Sequence, residues 1–347
     1  MTFASLLRSH RRAARMTLRD LADASGVSAR AISDMERGHS TAPQKRTLDA
    51  LASALTLDPA EHHTLIEAAS EARTFRSRPS YAPPRDVPDF TGRAAELAVL
   101  SQARRAVIHG QPGVGKTALA VHAATGAETH FLDCRTGDLH NRLQRIPADG
   151  LLILDNATSE PVPLPPTTAR VWITSRRRLP ALTDATHIHL KPLTPPESAT
   201  LLTEIIGTTD PAVAQVADYC GHLPLALRIA GNRVAGRPGW TMTHLATRLA
   251  DESRRLATLT AGDLSLEATL AQAFAALSAP ARAVCRATAQ LTDFTAGTAA
   301  TLTGVPEPEA HRAVSELLDH DLIHPNDGGT GYRHRPSTRM HALFSVR

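Results

Sequence analysis

The stretch Gly110-Gln111-Pro112-Gly113-Val114-Gly115-Lys116-Thr117 decides how this chain is read, because it fits G-x-x-x-x-G-K-[ST]. With the glycine and lysine usage of this chain, a chance match is on the order of one in a thousand. The glycines let the backbone wrap closely around a diphosphate and aim successive N–H groups at it. A helix that follows adds the positive end of its dipole. Lys116 supplies a point charge for the β- and γ-phosphates, and the Thr117 hydroxyl can ligate Mg²⁺. The flanks agree. Arg105-Ala106-Val107-Ile108-His109 is a strand-like run into the loop, and residues 118–124 are helix-forming, with Gly126 to close them. The octad and Ala118 therefore read as a purine-nucleotide site.

Outward from the octad, apolar strand-like runs recur at 105–109, 129–133, 151–155, 171–174 and 187–190, with helical or loop stretches between them. That alternation is the pattern of a parallel α/β sheet of about five strands. The run Leu151-Leu152-Ile153-Leu154 ends in Asp155, a carboxylate placed to hold a Mg²⁺ shell opposite Thr117. The next residue, Asn156, stands where many hydrolytic enzymes of this type place a second carboxylate, and a neutral amide cannot serve as a general base. Arg176 follows the run Val171 to Ser175 and is suited to reach a γ-phosphate; alone, it also reads as one more surface arginine in Arg176-Arg177-Arg178.

The N-terminal part is different in kind. Residues 1–46 carry nine Arg and Lys against Asp20, Asp23, Asp34 and Glu36, a net of +5 in a chain whose total is +4. A basic module on a near-neutral body points to an anionic polymer as partner. Thr17 can cap a helix over 18–24, Ser25-Gly26-Val27 makes a turn, and Ser28 caps a second helix over 29–37 that Gly38 ends. This stretch resembles the XRE/Cro-like helix-turn-helix DNA-binding domains over residues 3–69, through Thr17 to Ala22, Gly26-Val27-Ser28, Ile32-Ser33 and Glu36-Arg37-Gly38. The resemblance implies double-stranded DNA as partner. Ala29, Arg30, Ser33 and Asp34 would face base edges, Arg30 being the candidate for a bidentate guanine contact. Arg37, His39, Lys45 and Arg46 would meet phosphates. A small helical bundle used for protein contacts is the alternative.

Of the 347 residues, 42% are hydrophobic but only 3% aromatic, which favours helices built on Leu, Ala, Val and Ile. The isolated Cys134, Cys220 and Cys285 read as reduced core thiols, and no apolar run is long enough to span a membrane. The expectation is a cytoplasmic protein with no membrane partner.

Seven ordered motifs carry a second resemblance: Asp89-Phe90-Thr91-Gly92-Arg93 with Glu96-Leu97; the octad, a Walker A sequence; Phe131-Leu132-Asp133; the Walker B run ending Leu154-Asp155-Asn156-Ala157; Ile173-Thr174-Ser175-Arg176; Gly221-His222-Leu223-Pro224-Leu225-Ala226-Leu227; and Met340-His341. Residues 89–345 resemble the NB-ARC subgroup of the STAND ATPases, signalling switches that bind ADP or ATP with Mg²⁺. By this resemblance Gly92 and Arg93 line the adenine and ribose side, Pro224 packs on the base, and His341 reaches the β-phosphate and holds a closed ADP form. Arg176 senses the γ-phosphate in an open ATP form, in which a homo-oligomer is expected.

The implied organisation is a helix-turn-helix domain at 1–70, a linker at 71–88, a P-loop domain at 89–194, a helical ARC subdomain at 195–262 and a winged helix at 263–347. Three features depart from the family. Only about seventeen residues separate Asp133 from Leu151, which puts one crossover helix in doubt. Ala342 stands where the family's Met-His-Asp motif has its acid. The sequence given stops at Arg347, without the sensor repeats of many relatives, so the expectation is a separate sensor protein or a shortened gene product. The reading is therefore a nucleotide-gated transcription regulator with slow or negligible hydrolysis. An active AAA-like ATPase that remodels DNA or protein complexes is the alternative, and a scaffold with a dead nucleotide site is a third.

Overall fold

A computed structural model describes residues 3–37, 45–58, 61–66, 68–69, 81–136, 139–144, 146, 149–158 and 169–344. Two compact units emerge, Met1–Ser80 and Tyr81–Arg347.

The first unit is helical: α1 Phe3–Ala13, α2 Leu18–Ser25, α3 Ala29–Glu36, α4 Lys45–Ala54 and α5, 61–66. Its boundaries follow from capping chemistry. The Asp20 N–H donates to Thr17 Oγ1 (3.1 Å) and the Thr17 N–H donates back to the Asp20 carboxylate (2.8 Å), a reciprocal cap that starts α2. Gly26, at φ 71°, ends α2, and Ser28 Oγ accepts from Ala31 N–H (3.3 Å) to start α3. The crossing helices bury Leu7, Leu21, Ile32, Leu51 and Leu65 completely, at about 2 kcal/mol of transfer free energy each.

The second unit is built on a parallel sheet in the order β2-β3-β4-β1-β5. The strands are β1 Arg105–His109, β2 Thr129–Asp133, β3 Leu151–Ala157, β4 Arg170–Ser175 and β5 Thr186–His189. Helices cover both faces, so the inner strands are apolar without alternation; Leu151 to Leu154 are all at most 2% exposed. In chain order α6 Ala94–Gln102 precedes β1, α7 Lys116–Ala123 follows β1, α8 Leu139–Leu143 follows β2, and α9 Pro195–Ile206 and α10 Val213–Tyr219 come after β5. The crossover from β2 to β3 holds only the five-residue α8 among the described residues, which is how the shortened segment after Asp133 is accommodated. Residues 81–88, read from the sequence as linker, run extended beside the sheet, where the Phe131 N–H donates to the Tyr81 carbonyl (2.6 Å).

Beyond the sheet come α11 Pro224–Ala235, α12 Met242–Leu249, α13 Glu252–Thr258, a tight hairpin of β6 Thr260–Ala261 and β7 Leu264–Ser265, and α14 Leu266–Ala275. α9 to α14 share one apolar core with the sheet. A separate core holds α15 Ala279–Thr288, α16 Ala296–Thr303, α17 Glu307–Asp319, the antiparallel pair β8 Ile323–Pro325 and β9 Tyr332–His334, and part of α18 Pro336–Phe344.

Candidate functional site

The loop after β1 closes on itself before any ligand is considered. Lys116 Nζ, at the start of α7, donates to the carbonyls of Gly110 (2.7 Å) and Gln111 (3.0 Å). Gly115 caps α7 in the left-handed region, φ 93°, which only glycine adopts at no steric cost. Gly110 has φ 151°, and a Cβ there would strike the Leu190 carbonyl oxygen. Burial in the loop, with Arg176 nearby, pushes the Lys116 ammonium down to about 7. An anion at the loop opposes both effects and restores the charge.

Asp155 sits behind Thr117, 4% exposed. Its Oδ1 accepts from Thr117 Oγ1 (2.7 Å) and from Thr174 Oγ1 (2.6 Å), and its Oδ2 accepts from Asn156 Nδ2 (2.6 Å). The order of the sheet explains this set: β4 lies between β1 and β3, so Thr174 fills the gap between the loop and Asp155. The β3–β4 register slips between Leu154 and Ala157, and Asn156 takes φ 60°, a bulge that turns both polar side chains toward the loop. A hard cation suits the paired oxygens of Thr117 and Asp155. Among the described residues no group of three or more His, Cys, Asp or Glu side chains could hold a metal, so further ligands for Mg²⁺ would have to come from phosphate and water.

Over the loop lies a cavity of about 370 Å³. Arg93, Gly113, Val114, Gly115, Lys116, Thr117, Ala118, Arg176 and Pro224, all named as candidates from the sequence, are among the residues that line it. Pro224 opens α11 and packs over Gly115, and the Leu225 N–H donates to the Gly113 carbonyl (3.2 Å). Arg93, 7% exposed, reaches Glu96 and the Val114 carbonyl, both at 3.3 Å, and burial outweighs Glu96 in lowering its pKa.

Other expected residues fall outside the lining. Gly110 contributes its carbonyl to Lys116 instead. A Cβ on Gly92, at φ 73°, would meet the Glu197 carboxylate rather than the cavity. His341 is 8% exposed, its ring lies 4.4 Å from that of Phe274, and it does not line the cavity. The wall facing the loop is made by Thr269 and Gln272 of α14.

Sequence reasoning missed two arginines of the lining. Arg228 lines the cavity and pairs with Asp89 (2.6 Å). Arg135 pairs with Asp133 (2.7 Å) and faces Arg176. The motif stretches that begin at Asp89 and end at Asp133 lie close by, but an arginine partner leaves no pattern in sequence.

In the first unit, Arg30 and Arg46 are exposed, Ala29 and Ser33 half-buried, and Arg37 donates to Asp34 (2.9 Å). His39 and the Lys45 side chain lie outside the described residues. Arg11 binds the buried Glu36 through two nitrogens (2.6 and 2.9 Å). Arg8 donates to the Glu36 carbonyl (2.6 Å). Part of the positive excess read from the sequence therefore serves the fold.

Fold and site together define the class: a helix-turn-helix domain followed by a module with the P-loop ATPase fold. A model described as a helix-turn-helix domain matches residues 2–65. The chain is 33% identical over 318 residues to the regulatory protein AfsR of Streptomyces griseus, covering 75% of this chain and 32% of that protein. It is 32% identical over 354 residues to AfsR of Streptomyces coelicolor, covering 83% and 35%. The chain thus spans about a third of the length of these relatives. Among solved structures, the Walker-type ATPase of Pyrococcus abyssi matches with TM-score 0.55 and 13% identity, over 75% of this chain and 98% of that one. Among the described residues no helix is long and apolar enough to cross a membrane.

Proposed function

We propose that this chain is a DNA-binding transcription regulator of NB-ARC type whose nucleotide, ADP or ATP with Mg²⁺, sets its conformation. One observation carries the reading: the cavity over Lys116 is roofed by Pro224 of α11 and by Thr269 and Gln272 of α14, elements outside the sheet. A ligand there touches the loop and the helical parts together, so its identity biases how they pack. Among the described residues Arg176 bonds just the neutral Gln272, at 3.4 Å, which supports its answering a γ-phosphate. Lys116 and the loop amides would bind the β-phosphate, Pro224 the base, and Thr117 with Asp155 a Mg²⁺ ion that screens phosphate charge. The winged helix at 263–347 would join this packing through α14 and α18, with His341 acting from the core beside Phe274 rather than on phosphate.

Asn156 supports slow turnover. Its amide nitrogen is engaged as a donor to Asp155 and, at 3.4 Å, to Asp133; among the described lining residues the carboxylate is Asp89, which is paired with Arg228 rather than poised as a general base. On DNA, α3 would enter the major groove with Arg30 as the base reader. The S. griseus and S. coelicolor relatives, named as regulatory proteins, support a regulatory role. Mass spectrometry of nucleotide retained through purification tests the reading. Stoichiometric ADP supports it; an empty site that also fails to bind added ADP or ATP contradicts it. Steady-state ATP hydrolysis should stay below about one turnover per minute. A faster rate, lost in Lys116→Ala, would favour the remodelling ATPase.

A further inference from the structure

A second cavity, of about 900 Å³, opens beside the first and shares the walls Arg135, Asn156, Arg176 and Gln272 with it. Its far side is α17 and the residue that ends it, His320. The charge on its walls is unbalanced. Arg135, Arg176, Arg177 and Arg312 line it against two carboxylates, Glu316 and Asp319. Glu316 is already engaged, accepting from the Ser278 N–H (2.7 Å) and the Ser278 hydroxyl (2.6 Å). Asp319 approaches Arg177 only to 3.7 Å. Arg135 has Asp133, but Arg176 has only the neutral Gln272, and no hydrogen bond or ion pair engages Arg312 among the described residues.

His320 also lines the cavity, at 9% exposure. Burial and the nearby Arg177 hold the imidazole toward its neutral form, in which one ring nitrogen can still donate to an anionic oxygen. The volume is that of a small-molecule site, and guanidinium groups bind phosphate oxygens in pairs.

We propose that this cavity is a second ligand site, distinct from the nucleotide site, for a small molecule bearing a phosphate or pyrophosphate group. Arg177 and Arg312 hold the anion and His320 donates to it, while Arg176, on the wall the two cavities share, is left to the nucleotide. The proposal rests on the nucleotide reading only in assigning the first cavity to another ligand.

The test is equilibrium dialysis of radiolabelled inorganic pyrophosphate against the full chain, with and without saturating ADP. One pyrophosphate per chain should bind in the presence of ADP and also in Lys116→Ala. Binding should weaken at least tenfold in Arg177→Ala/Arg312→Ala and recover in part in Arg177→Lys/Arg312→Lys. Since Arg312 is exposed, a change there does not threaten the core, and circular dichroism checks the fold. Binding abolished by ADP or by Lys116→Ala would place the anion in the phosphate loop alone and overturn the proposal. Binding indifferent to the double alanine variant would overturn it equally. If ADP itself fails to bind, the nucleotide reading falls, while the pyrophosphate measurements still report on this cavity.

Discussion

The low pKa of Lys116 makes nucleotide binding a proton-linked event. The free loop holds this ammonium at about 7 through burial and Arg176, whereas a bound polyphosphate requires it charged. At pH 8 about nine in ten chains would carry a neutral Lys116, so binding should take up about 0.9 proton, against about 0.5 at pH 7. The sign follows: affinity falls as pH rises, by about fivefold from pH 7 to pH 8. At pH 8 Mg·ADP holds no titratable proton of its own, so the uptake reports the protein. Isothermal titration calorimetry of Mg·ADP in buffers of different ionisation enthalpy measures it directly. Lys116→Gln should bind far more weakly and remove the uptake. No proton uptake at pH 8 with wild-type binding intact would refute the argument, because it would mean that the loop keeps Lys116 charged without a ligand.

Other predictions follow from the same contacts. Asp155→Asn should cost about tenfold or more in the Mg²⁺-dependent part of ATP affinity, read by titration with and without the metal. His334, 4% exposed and bonded to Thr288 Oγ1 (2.8 Å), is lowered by burial to about 4. Its contribution is intact above pH 6.5 and is lost as pH falls toward 4, up to about 3 kcal/mol, so calorimetry should show Tm falling over that window and less so in His334→Asn. Glu36→Ala strands Arg11 and should destabilise the N-terminal unit by about 3 kcal/mol, seen in denaturant unfolding of the full chain. Arg30→Ala should weaken binding to a selected duplex by about 1–3 kcal/mol and relax its sequence preference, whereas Arg46→Ala should mainly lower the salt slope by about one.

Local chemistry was legible in the sequence. The octad, the apolar runs and the caps at Thr17 and Ser28 are short-range patterns, and each stands where its pattern places it, with five strands at nearly the expected bounds. Long-range partnership was not legible. Nothing near Asp133 in sequence announces that Arg135 turns toward Arg176, and nothing near Glu36 announces that Arg11, twenty-five residues earlier, neutralises it. The position of His341 depends on how α18 meets α14, and Phe274 is the residue that takes the imidazole. The motif carries the identity of a side chain, while the packing of two helices decides what that side chain reaches.

The central claim is that nucleotide identity changes DNA binding. A duplex enriched from a random pool by the full chain, titrated with ADP-loaded protein and with protein loaded with a non-hydrolysable ATP analogue, tests it most directly. The account predicts affinities that differ at least fivefold between the two forms, a difference lost in Lys116→Ala. Equal affinities, with both nucleotides shown to be bound, would contradict it.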